Sequence, residues 1–166
     1  MRLEDIGFYT LNDNRCQRAS VDSELMRCEL ILTDACNFKC PYCRGLRSDL
    51  KGNMSIEKAK YIIDLWTKDN LKNIRFSGGE PTVYKGIVDL VKYTKSKGVE
   101  RIAISTNGYA SMDLYRELID AGVNDFSISL DACCSAFGDM MSGGIKGSWE
   151  KVINNIKKIS KLSSLE

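Results

Sequence analysis

Histidine is absent from this 166-residue chain. That absence excludes Ser-His-Asp and Cys-His catalysis, and it excludes the usual His-rich zinc sites. General acid–base chemistry would have to come from aspartate, glutamate, lysine, tyrosine or cysteine side chains. The lack of one residue type therefore already narrows the classes of enzyme to which the chain can belong.

A strong excess of charge and a long apolar run are lacking as well. The 24 Lys and Arg residues nearly balance the 22 Asp and Glu residues, and a net charge of +2 indicates neither nucleic-acid nor membrane binding. No apolar run approaches the length that spans a bilayer, and no secretory apolar core follows the first residues. We therefore expect a cytoplasmic protein, whose 43% of hydrophobic residues form the core of one domain.

Cysteine, in contrast, is abundant, and three of the seven cysteines lie within eight residues. Cys36, Cys40 and Cys43 follow an apolar run that is typical of a strand. In a cytosolic chain, clustered cysteines indicate metal binding more than disulfides. Three thiolates can hold three irons of an iron–sulfur cube and leave the fourth iron open for an exogenous ligand. Taken alone, the spacing also fits a zinc knuckle or part of a ferredoxin-like loop.

The rest of the chain alternates between strand and helix patterns. Strands are predicted at 26–33, 73–77, 101–105 and 125–129, and helices after Ser55, at 83–97, after Ser111 and at 148–160. Gly98 and Gly122 are expected to end two of these helices. The alternation predicts an α/β fold with a parallel sheet, whose carboxyl strand ends meet on one side. We expect an N-terminal extension at 1–24, a core at 25–166, and a long loop at 132–147.

A second motif, Gly78-Gly79-Glu80, lies at the end of the second predicted strand. Paired glycines let a ligand approach the backbone closely, and a carboxylate beside exposed backbone can accept hydrogen bonds from an ammonium group. An ordinary Gly-Gly turn with a solvated glutamate is the alternative.

The two motifs together resemble those of the radical S-adenosylmethionine (radical SAM) enzymes over about residues 24–160. The cysteines have the family's Cys-x3-Cys-x2-Cys spacing, Tyr42 is the aromatic residue before the last of them, and the Gly-Gly-Glu follows in the expected order. The resemblance implies that Cys36, Cys40 and Cys43 ligate a [4Fe–4S] cluster whose open iron is chelated by S-adenosylmethionine. Reductive cleavage of that cofactor would give a 5′-deoxyadenosyl radical that abstracts hydrogen from an unknown substrate. Such chemistry tolerates the absence of histidine.

The resemblance also implies a partial (β/α) barrel with outer helices, and an external one-electron donor of the flavodoxin or ferredoxin type. The cofactor-binding residues that it implies are Tyr42, Gly78, Gly79, Glu80, Thr106, Asn107, Ser129 and Asp131. The Gly-Gly-Glu segment would position the methionyl amine, and Tyr42 would lie near the adenine through its backbone more than its hydroxyl. The residues at 106–107 would face the cofactor or substrate, and those at 129 and 131 would contact the ribose.

The chain departs from the family in its number of βα units, which is four where six are typical. It is therefore expected to be a piece of a longer protein, a short member completed by self-association or a partner chain, or a compact variant. The motifs are similar to the branch with molybdenum-cofactor GTP cyclases, peptide maturases and antiviral nucleotide dehydratases. The alternative function is a non-catalytic zinc- or cluster-binding module, or a fragment that needs a partner to complete its site.

The sequence supports less specific predictions for the remaining cysteines. Cys133 and Cys134 fit a thiol on the substrate side better than an auxiliary cluster, because adjacent side chains diverge in an extended chain. Cys28 is expected to be a small buried apolar residue and Cys16 a surface or half-buried thiol.

Overall fold

Four parallel strands form the centre of the structure, a computed structural model that describes residues 20–43 and 52–162. They are β1 (Arg27–Thr33), β2 (Asn73–Gly78), β3 (Arg101–Thr106) and β4 (Asp125–Ile128), and they lie side by side in chain order. The helices are α1 (Ile56–Lys68), α2 (Ile87–Ser96), α3 (Met112–Ala121), α4 (Ser135–Met141) and α5 (Ser148–Ile159). The predicted α/β fold with a parallel sheet is confirmed. The domain boundary near residue 24 stays a prediction, and Cys16 lies outside the described residues.

One face of the sheet is apolar and covered by helices. Side chains alternate between the two faces of a strand, so Leu30, Phe76 and Ile104, which share a register position, point to the same side. All three are almost completely buried. They join Ile63 of α1 and Leu118 of α3 in one hydrophobic cluster. The helices are therefore the outer layer of a partial barrel.

The opposite face of the sheet is open. Arg75 and Ser77 of β2 and Ser105 of β3 lie on it, because they alternate with the buried apolar residues. Ile31 of β1, on the same face, keeps 65% of its surface exposed. This face is the inner wall of the partial barrel, and the carboxyl strand ends lie at its rim.

Side-chain caps begin two of the helices, as the sequence predicts. The Ser55 hydroxyl accepts a hydrogen bond from the backbone of Lys58 at 3.2 Å, and the Ser111 hydroxyl accepts one from Leu114 at 3.3 Å. Gly122 ends α3 with a positive φ of 123°. These local signals are strong because each satisfies backbone groups that the helix leaves unpaired.

The predicted helix at 83–97 is wrong at its start. The chain first forms a short 3-10 turn, Pro81–Val83, and α2 begins only at Ile87. Glu80 caps the 3-10 turn by accepting a hydrogen bond from the backbone of Thr82 at 3.0 Å. Gly86 then takes a left-handed conformation with a φ of 88°, which interrupts the helical path.

The long loop predicted at 132–147 is also wrong, because it contains α4. Gly138 sits within this helix and packs against the Trp149 ring so closely that a β-carbon at this position would overlap it. Glycine is a poor helix former, so the pattern of this segment does not predict a helix. Asp139 of α4 caps the start of α5 by accepting hydrogen bonds from the backbones of Gly147, at 2.7 Å, and Trp149, at 3.1 Å. These bonds hold the pKa of Asp139 below its ordinary value.

None of the helices in the described part of the chain is long and apolar enough to cross a membrane.

Candidate functional site

A cavity of about 540 Å³ opens at the carboxyl ends of the strands. Every site residue that the sequence analysis predicted lines it: Cys36, Cys40, Tyr42, Cys43, Gly78, Gly79, Glu80, Thr106, Asn107, Ser129 and Asp131. Parallel strands bring their ends to one rim, which explains how residues almost 100 positions apart in sequence meet here. The roles of the individual residues stay predictions.

The cysteine loop leaves β1 directly and holds three thiols at the cavity. Cys36 and Cys43 are exposed and Cys40 is half-buried. Burial raises the pKa of the Cys36 and Cys40 thiols above the ordinary range, although a hydrogen bond from the Phe38 backbone partly offsets this at Cys36. Cluster binding must therefore displace protons from these thiols, as is general for thiolate ligands.

The backbone of the Gly-Gly-Glu segment is hydrogen-bonded to the end of β1 and the start of the cysteine loop. The backbone N–H of Gly79 donates to the Thr33 carbonyl at 2.7 Å, and that of Glu80 donates to the Ala35 carbonyl at 2.8 Å. A β-carbon at Gly79 would overlap the carbonyl of Ala35. The glycine thus serves the close approach of the chain's own loop, which the sequence analysis had attributed to a ligand.

The Glu80 carboxylate accepts four hydrogen bonds and is almost completely buried, with 1% of the residue's surface exposed. Its Oε1 accepts hydrogen bonds from the Thr82 backbone at 3.0 Å, the Thr82 hydroxyl at 2.7 Å and the Thr106 hydroxyl at 2.8 Å. Its Oε2 accepts one from the Asn107 backbone at 2.7 Å. In the described part of the chain no lysine or arginine forms an ion pair with it. The carboxylate therefore ties the end of β2 to that of β3 and places an unpaired negative charge beneath the cavity.

Asn107 links the end of β3 to the cysteine loop. Its side-chain amide donates to the Asn37 side-chain oxygen at 2.7 Å and lies 4.0 Å from the Cys36 sulfur. A ring contact between Phe38 and Tyr109, with centroids 5.3 Å apart, adds a second link. The loop is thus held by the residues that follow β3 as well as by those that follow β2.

Tyr42 and Asp131 face each other across the cavity mouth. The Tyr42 hydroxyl donates to Asp131 Oδ2 at 2.8 Å, which joins the cysteine loop to the segment after β4. Burial and this carboxylate raise the pKa of Tyr42. Ser129, at the same strand end, is exposed, and its backbone donates to the Thr106 carbonyl at 2.9 Å. Both hydroxyl-bearing and carboxylate groups are therefore available at the position predicted for a ribose.

The remaining described cysteines do not line the cavity. Cys28 is partly buried on β1 and packs against the core, whereas Cys133 and Cys134 are exposed before α4. Among residues 20–43 and 52–162, no three histidine, cysteine, aspartate or glutamate side chains are grouped to hold a single metal ion. The ligands of an iron–sulfur cube bind separate irons, so the donor set of three loop thiols beside an open cavity fits the cluster.

Sequence reasoning missed two residues that contact the loop, Ser142 and Gly143. The backbone N–H of Lys39, between Cys36 and Cys40, donates to the Ser142 carbonyl at 3.0 Å. The Gly143-Gly144 pair was a signal of a special backbone conformation, but sequence alone could not give its neighbour.

The structure thus brings together a partial barrel, three thiols of one loop at its rim and a Gly-Gly-Glu strand end, which is the arrangement that the sequence resemblance implies. The model of the radical SAM superfamily matches residues 30–164. The chain belongs to this superfamily of enzymes, which confirms the predicted resemblance; the family implies a [4Fe–4S] cluster and S-adenosylmethionine.

Curated relatives are similar in sequence over most of this chain. The probable GTP 3′,8-cyclase of Methanocaldococcus jannaschii is 32% identical over 144 residues, which cover 81% of this chain and 45% of the relative. The GTP 3′,8-cyclase of Peptoclostridium acidaminophilum is 35% identical over 132 residues, which cover 76% of this chain and 40% of the relative. The chain thus spans less than half of the length of these relatives.

Solved structures of low sequence identity share the fold. Streptococcus suis SuiB bound to its precursor peptide SuiA has a TM-score of 0.69 at 16% identity, with 85% of this chain and 31% of that chain covered. anSMEcpe with bound AdoMet and Kp18Cys peptide has a TM-score of 0.63 at 18% identity, with 81% and 41% covered. The predicted partial radical SAM barrel with outer helices is therefore confirmed.

Proposed function

We propose that this chain is the cluster-bearing half of a radical SAM enzyme. Cys36, Cys40 and Cys43 ligate a [4Fe–4S] cluster, and the cavity beside them receives S-adenosylmethionine. When bound, these groups would supply reductive cleavage of the sulfonium: one electron from an external donor would pass through the cluster and break the S–C5′ bond to give methionine and a 5′-deoxyadenosyl radical, which would abstract a hydrogen atom from the substrate. The observation that carries the proposal is the convergence of the three thiols and the Gly-Gly-Glu segment on one cavity.

The residues of the chain bind and orient in this proposal. The carboxylate of Glu80 attracts the methionyl ammonium, because its charge has no cationic partner among the described residues. Asn107 and Asn37 hold the loop in register with the strand ends. Ser129 and Asp131 offer acceptors to ribose hydroxyls, and Tyr42 closes the mouth above them. Fixing the geometry in this way places the reacting atoms close together and excludes water.

The proposal is tested by product formation under anaerobic conditions. We expect the reconstituted protein, given dithionite as a one-electron reductant, to release 5′-deoxyadenosine from S-adenosylmethionine. The matched control is the Cys43→Ala variant treated identically. If the wild-type protein releases 5′-deoxyadenosine no faster than the control, the proposal is contradicted and the non-catalytic module is favoured.

Arg75 supports an anionic substrate such as a nucleotide, the class named by the GTP cyclase relatives. Arg75 lies on the open inner face of the sheet, two residues before Ser77 in β2. Its Nε is buried and has no hydrogen-bond partner in the described structure. Burial, together with Arg75 and Arg27, lowers the pKa of the neighbouring Arg101. Arg101 itself is paired with Asp125. A phosphate on this face would satisfy the unpaired donor.

Guanosine triphosphate is the probe for this site. Arg75→Gln is expected to weaken its binding by about tenfold or more, because a hydrogen bond to a charged group contributes roughly 1.5–3 kcal/mol. Arg116→Gln is the control, since it removes an equal charge from an exposed pair on α3. Equal affinities of the two variants would contradict a nucleotide-phosphate site at Arg75.

We further propose that additional strands complete the barrel beside β4, which is an edge of the described sheet. An unpaired parallel edge offers backbone hydrogen-bonding groups to another strand. The strands come from further residues of a longer protein or from a second copy of this chain. Light scattering tests the second source, since a dimer of the isolated chain supports it and a monomer contradicts it.

A further inference from the structure

The turn after α4 contacts the cysteine loop at its middle. Besides the hydrogen bond from Lys39 to the Ser142 carbonyl, Gly143 packs directly on the Lys39 backbone. A β-carbon at Gly143 would lie 2.8 Å from both the Lys39 Cβ and the Lys39 carbonyl oxygen. Real contacts of a β-carbon are not this short, so a side chain here would have to displace the loop segment between Cys36 and Cys40.

Hydrogen bonds of the Ser142 hydroxyl hold this turn in place. Ser142 is 3% exposed, and its hydroxyl donates to the Asp139 carbonyl at 2.8 Å and lies 2.9 Å from the Ser148 hydroxyl. It also accepts a hydrogen bond from the Ile145 backbone at 3.3 Å. These bonds join the end of α4 to the first residue of α5.

The helix α5 is anchored in turn to the sheet. Asn155 is 4% exposed, and its side-chain amide donates to the carbonyls of Gly108, at 2.8 Å, and Ala110, at 2.9 Å. Both carbonyls belong to the segment that follows β3. The contact between Lys39 and the turn is therefore backed by buried and partly buried hydrogen bonds at both ends of the segment from the turn to Asn155.

From these contacts we propose that Ser142 and Gly143 are positioning residues for the iron–sulfur cluster. They hold the Lys39 segment in place, so that Cys36 and Cys40 present their sulfurs at a fixed separation. The inference rests on the proposed function, because it assumes that the loop cysteines bind a cluster. It assigns a role in cluster binding to a segment about 100 residues away from the cysteines, outside both motifs.

Gly143 and Gly144 provide a matched pair of variants. Both have left-handed backbones, with φ of 91° and 88°, so alanine strains the backbone equally at the two positions. They differ in surroundings, since nothing lies within 4 Å of a β-carbon at Gly144. A difference in cluster stability between Gly143→Ala and Gly144→Ala therefore reports the contact with Lys39 and not the backbone strain.

The experiment measures iron loss to a chelator after anaerobic reconstitution, together with the electron paramagnetic resonance spectrum of the reduced cluster. We expect Gly143→Ala to lose iron about tenfold faster than Gly144→Ala and to have an altered spectrum, because overpacking at the contact displaces the loop. Circular dichroism of the apo-proteins should give a somewhat lower melting temperature for Gly143→Ala, because overpacking also costs stability, so the spectrum of the reduced cluster is the measurement that separates the two roles. A role confined to folding would change melting temperature and leave the spectrum unchanged.

Each outcome has a distinct meaning. Equal iron loss and identical spectra for the two variants would overturn the inference and leave the proposed function intact. A wild-type protein that takes up no cluster would overturn both. If Gly143→Ala does not fold, Ser142→Ala carries the test, because it loosens the turn without adding volume. If the rate of iron loss and the spectrum of Ser142→Ala both equal those of the wild-type protein, the inference is overturned.

Discussion

Replacing Cys36, Cys40 or Cys43 singly by alanine is expected to abolish the iron–sulfur cluster. In the proposed site each thiolate would bind a separate iron, and the other cysteines in the described part of the chain lie outside the cavity. The wild-type protein should hold about four irons and four sulfides per chain after anaerobic reconstitution, and each variant should hold less than about one in four of that content. Iron and sulfide analysis measures the effect.

Cys28→Ala is the matched control for these variants. Cys28 lies on β1, packs against the core and does not line the cavity, so its loss should leave the iron content nearly intact. A full cluster in all three loop variants would contradict the assignment. A colourless wild-type protein with stoichiometric zinc would instead favour the binding module.

Glu80→Gln is expected to weaken both cofactor binding and the fold. The amide removes the charge that attracts the methionyl ammonium, so the affinity for S-adenosylmethionine should fall by about tenfold or more. The amide nitrogen would also face a backbone donor, the N–H of either Asn107 or Thr82. A buried donor without an acceptor costs about 1–3 kcal/mol, and the free energy of unfolding should fall by that amount. Calorimetry and denaturant titration measure the two effects.

Thr82→Val separates the two effects of Glu80. It removes one hydroxyl donor to the carboxylate, 2.7 Å away, and keeps the negative charge. This variant should lose about 1 kcal/mol of stability and bind S-adenosylmethionine within about threefold of the wild-type affinity. Equal affinities of the wild-type and Glu80→Gln proteins would remove Glu80 from the cofactor site and leave it a purely structural role.

The sequence predicted the parts of the structure whose causes are local. The caps at Ser55 and Ser111 satisfy nearby backbone groups, and the alternation of strand and helix patterns along the chain predicts the parallel sheet that the structure has. The motif cysteines and Gly79 could be found because their spacing resembles a known family. Their convergence on one cavity then follows from the parallel order of the strands.

Features that depend on distant contacts could not be predicted in this way. The helix α4 contains Gly138, a poor helix former whose lack of a side chain leaves room for the Trp149 ring. Glu80 is surrounded by donors from Thr106 and Asn107, and only the folded chain brings these residues to it. The contact of Gly143 with Lys39 spans more than 100 residues of sequence, and no sequence pattern links the two residues.

The most direct test of the central claim is the electron paramagnetic resonance spectrum of the reduced, reconstituted protein with and without S-adenosylmethionine. The account predicts a [4Fe–4S] signal that changes shape when the cofactor is added, because the cofactor binds the iron that the three cysteines leave open. The spectrum of Glu80→Gln should require about tenfold more cofactor for the same change. A cluster signal that S-adenosylmethionine leaves unaltered at saturating concentration, or no cluster signal at all, would contradict the account.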